Sequence, residues 1–264
     1  MIDIEAAFAF ETTAPTDVVL QFEAALIPEQ VFELLETRLD PHQPFMRVSA
    51  EDDIGDRVLL EANGRVDIRH RARVTVNRLT PDLATLAALA PHDLPGETLG
   101  YLFDSRYCPA DKFQSFVSAE FDGTEGGARV VAICNWIAAN IEYALGASHA
   151  GTDAAETVIE RRGVCRDFAH VMVTMARASA IPARYVSCFA PGVDPQDFHA
   201  VAEVFLADPA TPRGGAWYLV DATGMADPAE TVKIGVGRDA ADVSFLTSFG
   251  ASELLSKTIT VRRV

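Results

Sequence analysis

The chain has 264 residues, 49% hydrophobic and 23% charged, the balance of a folded globular protein rather than a disordered one. Its 38 acidic against 22 basic side chains give a formal net charge of -16, a surface that repels phosphate backbones and anionic lipid, so neither nucleic acid nor membrane is an expected partner. The start, Met1-Ile2-Asp3-Ile4-Glu5, lacks the basic and apolar regions of a secretion signal, and the most apolar helical run, 130–147, is interrupted by Asn135, Asn140 and Glu142. A cytoplasmic address is expected, with reduced thiols.

The first eighty residues read as β. Short runs at 6–12, 18–22, 45–49, 57–61 and 65–76 lie between turn signals, and Ala62-Asn63-Gly64 predicts a hairpin between the last two. From residue 65, Val66, Ile68, His70, Ala72, Val74 and Val76 alternate with Arg65, Asp67, Arg69, Arg71, Arg73 and Thr75. That pattern predicts a half-buried antiparallel strand whose arginines face solvent and carboxylates. Residues 28–37 read as one helix inserted among the strands. Residues 79–107, rich in Pro, Leu and Ala, read as a connector with short helical turns. The boundary is placed in it, giving a β-rich domain over 1–100 and a second domain over 101–264.

Beyond Pro109 the pattern turns helical. Val130, Cys134, Ile137, Ile141 and Ala144 recur at helical spacing, and Asp153-x-x-Glu156 has capping-box spacing for a short helix ending near Gly163. A helix from Cys165 to about Ser179 stops before Ile181-Pro182. Strands are expected at 183–189, 199–206 and 216–220.

The chemistry centres on Gly163-Val164-Cys165-Arg166-Asp167-Phe168-Ala169-His170. A thiol attacks as its thiolate, and a helix N-terminus offers free N–H groups and a positive dipole end. Cys165 stands at such a start. The other cysteines read as structural: Cys134 on a helix face, Cys188 in a strand, Cys108 before Pro109. His199 opens one strand and Asp221 closes the next. Joined by the loop 208–215, these strands should pair as a hairpin, which makes His199 and Asp221 neighbours. Cysteine, histidine and aspartate then supply nucleophile, base and orienting group. His170 lies on a helix side about 140° from Cys165 and cannot easily reach the thiol; it can support the site from behind. The spacing of Cys165, His199 and Asp221 matches no common zinc motif.

These residues resemble the transglutaminase-like superfamily, and within it the bacterial candidate cysteine proteases. The resemblance rests on Gly163-Val164-Cys165-Arg166-Asp167, Ile181-Pro182-Ala183-Arg184-Tyr185-Val186, His199-Ala200-x-x-Glu203-Val204, Trp217-x-x-x-Asp221-x-Thr223, and Gly237-Arg238-Asp239-Ala240-Ala241-Asp242-Val243. It implies an α+β protein: a papain-like catalytic domain preceded by a β-sandwich-like domain. It implies a Cys165-His199-Asp221 triad that hydrolyses peptide or amide bonds through a thioester, with no metal or organic cofactor. Asp167, His170, Arg238, Asp239 and Asp242 are expected as supports near the site. The partner implied is a peptide or protein substrate with a carboxamide or peptide bond. Two other readings stand beside hydrolysis: acyl transfer to an amine, and an inactive binding module, against which the intact triad argues. The sequence departs from the family at Val201, usually Trp; Ala222, usually Pro; and Cys188, usually Gly. These changes are expected to act on the cleft walls, with Cys188 expected as a second reactive thiol near the site.

Overall fold

A computed structural model describes residues 1–208, 210 and 214–264 of the chain. In chain order the elements are β1 (Ile2–Leu20), β2 (Gln30–Asp40), β3 (Met46–Ser49), β4 (Asp56–Val76), α1 (Gln114–Glu120), α2 (Gly126–Asn140), β5 (Glu142–Tyr143), α3 (Ala154–Glu160), β6 (Arg162–Gly163), α4 (Cys165–Ala178), β7 (Ala183–Phe189), β8 (His199–Ala207), β9 (Gly215–Val220), β10 (Val232–Gly237), β11 (Leu246–Ser248) and β12 (Ser252–Arg263). Part of the β8–β9 loop expected at 208–215 lies outside the described residues. Among the described residues no helix is long and apolar enough to cross a membrane.

The N-terminal strands form one antiparallel sheet in which β1 and β4 pair along their whole lengths. The hairpin expected at Asn63-Gly64 is absent, because β4 runs straight through it. Opposite this point the register of β1 shifts between Thr12 and Thr16, so Gly64, at φ +81°, marks a bulge. The two arms of the ribbon share a core: Phe8 and Phe10 from one side of the bulge meet Val18, Leu20, Val58 and Leu60 from the other. This bent sheet is the sandwich-like N-terminal unit.

Residues 28–37 are not helical. They belong largely to β2, an edge strand paired with β4, with a register shift between Phe32 and Leu34. Sheet pairing overrides the helix propensity of Glu33, Leu34, Leu35 and Glu36, and the shift hides the alternation that would have betrayed a strand. The arginine row of β4 does face carboxylates: Arg73 meets Asp3 at 2.6 Å and Arg71 meets Glu36 at 3.2 Å.

The C-terminal strands also return to this sheet. β11 and β12 both pair with β1, so residues assigned by sequence to the second domain complete the first.

The second sheet has the order β10-β7-β8-β9, all antiparallel. α4, buried from Asp167 through Arg177, packs on it with α2 through Val171, Met172, Met175, Ile133 and Ile137 against Ala202, Val204 and Leu206. The two sheets meet where Val232, Ile234 and Phe189 pack on Ile2, Ile4, Val74 and Val261. Gly55 allows the closest approach: at φ +81° its added Cβ would stand 2.0 Å from the Ile234 carbonyl oxygen.

Candidate active site

Cys165 is the first residue of α4, after an extended Val164. The Val164 carbonyl accepts the N–H groups of Asp167 at 2.8 Å and Phe168 at 3.1 Å. Asp167 reaches back: its Oδ2 accepts the Val164 N–H at 2.8 Å and its Oδ1 accepts the Ser148 hydroxyl at 2.9 Å. Gly163 makes this closure possible, since a Cβ there would lie 2.7 Å from the Asp167 Cβ. The motif is therefore one folded unit, in which the glycine leaves space, the aspartate closes the turn and the cysteine is presented half-buried. The first N–H groups of α4 have no partner within the helix and can receive negative charge.

His199 and Asp221 come together as the hairpin predicted. β8 and β9 pair with Ala202 opposite Val220 and Phe205 opposite Trp217. The His199 Nε2 meets Asp221 Oδ2 at 3.0 Å. Asp221 is fixed in turn by the Thr223 N–H at 2.8 Å, the Thr223 hydroxyl at 2.7 Å and the Ala226 N–H at 2.7 Å. Burial would raise its carboxyl pKa, but bonds from His199, Ala226 and Thr223 outweigh that and hold it below the usual value. The other imidazole nitrogen, Nδ1, has no partner of full hydrogen-bond geometry. The Cys165 thiol also lies against the imidazole. Burial pulls the imidazole pKa down; bonds to Asp221 and the loose contact to Cys165 overcome this and push it up to about 9.

Both groups open into a cleft of about 570 Å³ between the two sheets. Its walls include Arg106, Tyr107 and Arg166 on one side and Phe198, Phe245 and Lys257 on the other.

The expected supports act from behind these walls. His170 is buried; its Nε2 accepts the Ala240 N–H at 3.2 Å, and its ring stacks on Tyr107 with centroids 5.1 Å apart. Burial, reinforced by Arg166 and Arg177, depresses its pKa well below the ordinary value, so it is neutral. Asp239 accepts the Tyr107 N–H at 2.9 Å, tying the two walls together. Arg238 and Asp242 do not line the cleft. They pair with each other at 3.0 Å and brace the turn whose Ala240, Ala241 and Val243 do line it. Sequence reading missed Arg177, a buried guanidinium that donates to the carbonyls of Phe103, Ala183 and Arg238 and so pins the segment at Phe103, the start of β7 and the turn at Arg238 to α4.

Tyr143 was also missed. The two-residue parallel bridge of β5 with β6 sets it opposite Gly163. Its phenol lies against the thiol and backbone of Cys165, and burial, with the thiol second, pushes its pKa up to about 12. No motif signals it, because its placement depends on that bridge.

The family departures do not shape the cleft as expected. Val201 is buried in a core cluster with Val186 and Leu219, and Ala222 packs in the core beneath α4. Cys188 is buried, its thiol donates to the His199 carbonyl at 3.6 Å, and burial raises its pKa well above the ordinary value, which makes it unreactive.

Residues 115–222 match the family model of the transglutaminase-like superfamily. The crystal structure of a candidate cysteine protease from Cytophaga hutchinsonii is similar over 99% of this chain and 89% of that one, at 31% identity and a TM-score of 0.91. The chain belongs to the transglutaminase-like superfamily. Its α+β fold, with a sheet region before the transglutaminase-like core, is the one the sequence implied. A curated relative, the uncharacterized protein ML0607 of Mycobacterium leprae (strain TN), is 28% identical over 138 residues, and the match spans 47% of that relative's length, about half.

Proposed function

We propose that this superfamily member is a cysteine-nucleophile hydrolase of peptide or amide bonds, with Cys165, His199 and Asp221 as its triad. One observation carries the reading: a single imidazole has an ionised carboxylate on Nε2 and the Cys165 thiol against it, at a cleft open to substrate.

The Cys165 sulfur attacks the carboxamide carbon as thiolate, its proton held on His199 Nδ1, and the carbonyl becomes an oxyanion. The N–H groups at the start of α4 and the neutral Tyr143 hydroxyl, which lies against Cys165, are the proposed donors to that oxygen. When the carbon–nitrogen bond breaks, His199 gives its proton to the leaving amine and a thioester remains. Water, losing a proton to His199, attacks the thioester, and the acid departs with the thiol restored. Asp221 keeps the imidazole oriented and favours its charged form.

The cleft favours water as acceptor. Charged Arg106, Arg166, Asp197 and Lys257 line it, with Ser187 and Ser244, so it is not the dry channel that protects a thioester for an amine. The compartment proposed is the cytoplasm, where the thiol stays reduced.

The test is turnover of a library of fluorogenic peptide and isopeptide amides. The reading predicts an acyl adduct on Cys165 and complete loss of turnover in Cys165→Ala. Turnover that survives Cys165→Ala overturns it. Tyr143→Phe should lower kcat by about 10²–10³-fold, the cost typical of a lost oxyanion donor, with KM little changed.

A further inference from the structure

The cleft is basic in a protein of net charge -16. Three cations line it, Arg106, Arg166 and Lys257, against one carboxylate, Asp197. Lys257 is spoken for. It pairs with Asp197 at 2.6 Å and lies over the rings of Phe198 and Phe245. The two arginines are different.

Both guanidiniums lie over one ring, Tyr107, at 5.1 Å for Arg106 and 5.7 Å for Arg166. Among the described residues Arg106 has no carboxylate partner. Arg166 donates from Nη2 to the Ser148 hydroxyl at 2.7 Å and the His149 carbonyl at 2.5 Å. The nearest carboxylate oxygen to it, Asp167 Oδ1, is 3.5 Å away and already accepts from Ser148, while Oδ2 accepts the Val164 N–H. The Arg166 Nε is buried with no acceptor. A buried charged donor without an acceptor is costly, and two like charges lie over one ring with only the already engaged Asp167 carboxylate as counterion. An anion in the cleft offsets the repulsion between the two guanidiniums. The planar fork of a guanidinium suits a carboxylate.

We infer that the cleft selects an acyl donor carrying a carboxylate beside the reacting amide, read by Arg106 and Arg166 at the start of α4. The rest of that donor lies toward the Phe198–Phe245 shelf, whose ring centroids are 5.3 Å apart. The inference rests on the proposed thiol chemistry for its site, and it specifies a substrate class: acidic peptides. The carboxylate is that of an aspartate or glutamate side chain or of a free C-terminus.

The test uses one fluorogenic peptide amide in matched forms: a flanking Glu, its isostere Gln, and the same peptide with a free or amidated C-terminus. Since hydrogen bonds to charged groups are stronger than neutral ones, kcat/KM should favour an acidic form over its neutral isostere by about tenfold at low salt. The preference should contract at about 0.5 M salt, where the Debye length falls to a few ångströms. Arg166 also holds the 148–149 loop, so the variant is Arg106→Gln. It should lose most of the preference for the acidic form over its neutral isostere. Which acidic form wins identifies the carboxylate's source. Equal rates on acidic and neutral forms, or a preference untouched by Arg106→Gln, overturn the inference while leaving thiol chemistry intact. If no form is turned over, the proposed function fails separately, and calorimetric titration of the Cys165→Ala chain with the acidic and neutral peptides decides the recognition alone: tighter acidic binding that Arg106→Gln abolishes sustains it, and equal binding overturns it.

Discussion

The carboxylate of Glu203 on β8 and the ammonium of Lys233 on β10, two strands of one sheet, meet at 2.5 Å in the interior. The same carboxylate bonds Arg184 at 2.8 Å, and the chain of charge continues outward, from Arg184 to Asp52 and from Lys233 to Glu29, which also holds Arg78. Burial opposes ionisation of Glu203, but Lys233 and Arg184 outweigh it and keep the pKa low. Asp52, Glu29 and Arg78 come from the N-terminal unit, whereas Arg184, Glu203 and Lys233 come from β7, β8 and β10. The network therefore fixes one sheet against the other, four residues along β8 from His199.

Removing Glu203 strips Lys233 and Arg184 of the buried anion they share and leaves each only its outer partner, Glu29 or Asp52. Glu203→Gln should cost about 3–5 kcal/mol in denaturant unfolding, the usual loss when one member of a buried pair is deleted. A second change, Lys233→Met, should recover part of that loss, because it removes one stranded charge. A cost under about 1 kcal/mol for Glu203→Gln would mean that the network is solvated and does not join the sheets.

The His199–Asp221 pair makes stability depend on pH in a stated direction. The folded imidazole titrates at about 9, above its ordinary value of 6.5. Protonation thus favours the folded state. The contribution is fully present below pH 6.5 and is lost as pH rises through 9, amounting to about 3 kcal/mol at most. Unfolding midpoints measured from pH 6 to 9.5 should fall across that window, and His199→Gln should flatten the slope. A slope unchanged in His199→Gln would assign it to other groups. The rate should show the same limit: kcat/KM falls as pH passes about 9, when the imidazole no longer holds the proton the leaving amine needs.

Thiol reactivity separates Cys165 from the other cysteines. Burial pushes Cys108 up to about 12 and Cys134 up to about 11, and lifts Cys188 well above its ordinary value. Cys165 alone lines the cleft beside an imidazole. Iodoacetamide near pH 6, followed by peptide mapping, should label Cys165 first by a wide margin. Equal labelling of all four would place the activated thiol elsewhere, or nowhere.

What the sequence made legible was local or joined by a short loop. Gly163 to Asp167 announced a helix start because each member of the motif contacts another within four residues. His199 and Asp221 were placed together because a hairpin brings the start of one strand to the end of the next. The long-range parts were not readable. β2 looked helical because its leucines fit either period and its sheet partner, β4, is distant in sequence. β10, β11 and β12 gave no signal strong enough to name them, and the pairing of β12 with β1 joins the two ends of the chain. Tyr143, Arg177 and the Arg106–Tyr107–Arg166 stack depend on that assembly. Val201 was read as a cleft residue from the family pattern, yet it faces the core, so the walls are set by Tyr107, Phe198 and Phe245 instead.

Hydrolysis and transfer share the thioester and diverge at the acceptor. Water at about 55 M wins unless it is shut out, and an amine wins only where a binding site raises its effective concentration. The cleft offers an amine little attraction. Arg106, Arg166 and Lys257 repel an ammonium, and Asp197, the one acidic side chain lining it, is already paired with Lys257 at 2.6 Å. An approaching lysine would also have to lose its proton beside an imidazole that titrates at about 9. Partitioning should therefore run to the free acid. The measurement supplies an acyl donor that reacts with Cys165, adds a lysine analogue at millimolar concentration, and quantifies acid and amide. Acid should dominate at every amine concentration below about 0.1 M, where water remains in several-hundred-fold excess. Amide as the main product at about 1 mM amine would demand an amine site that the cationic lining does not provide, and would replace hydrolysis with transamidation as the activity of this thiol.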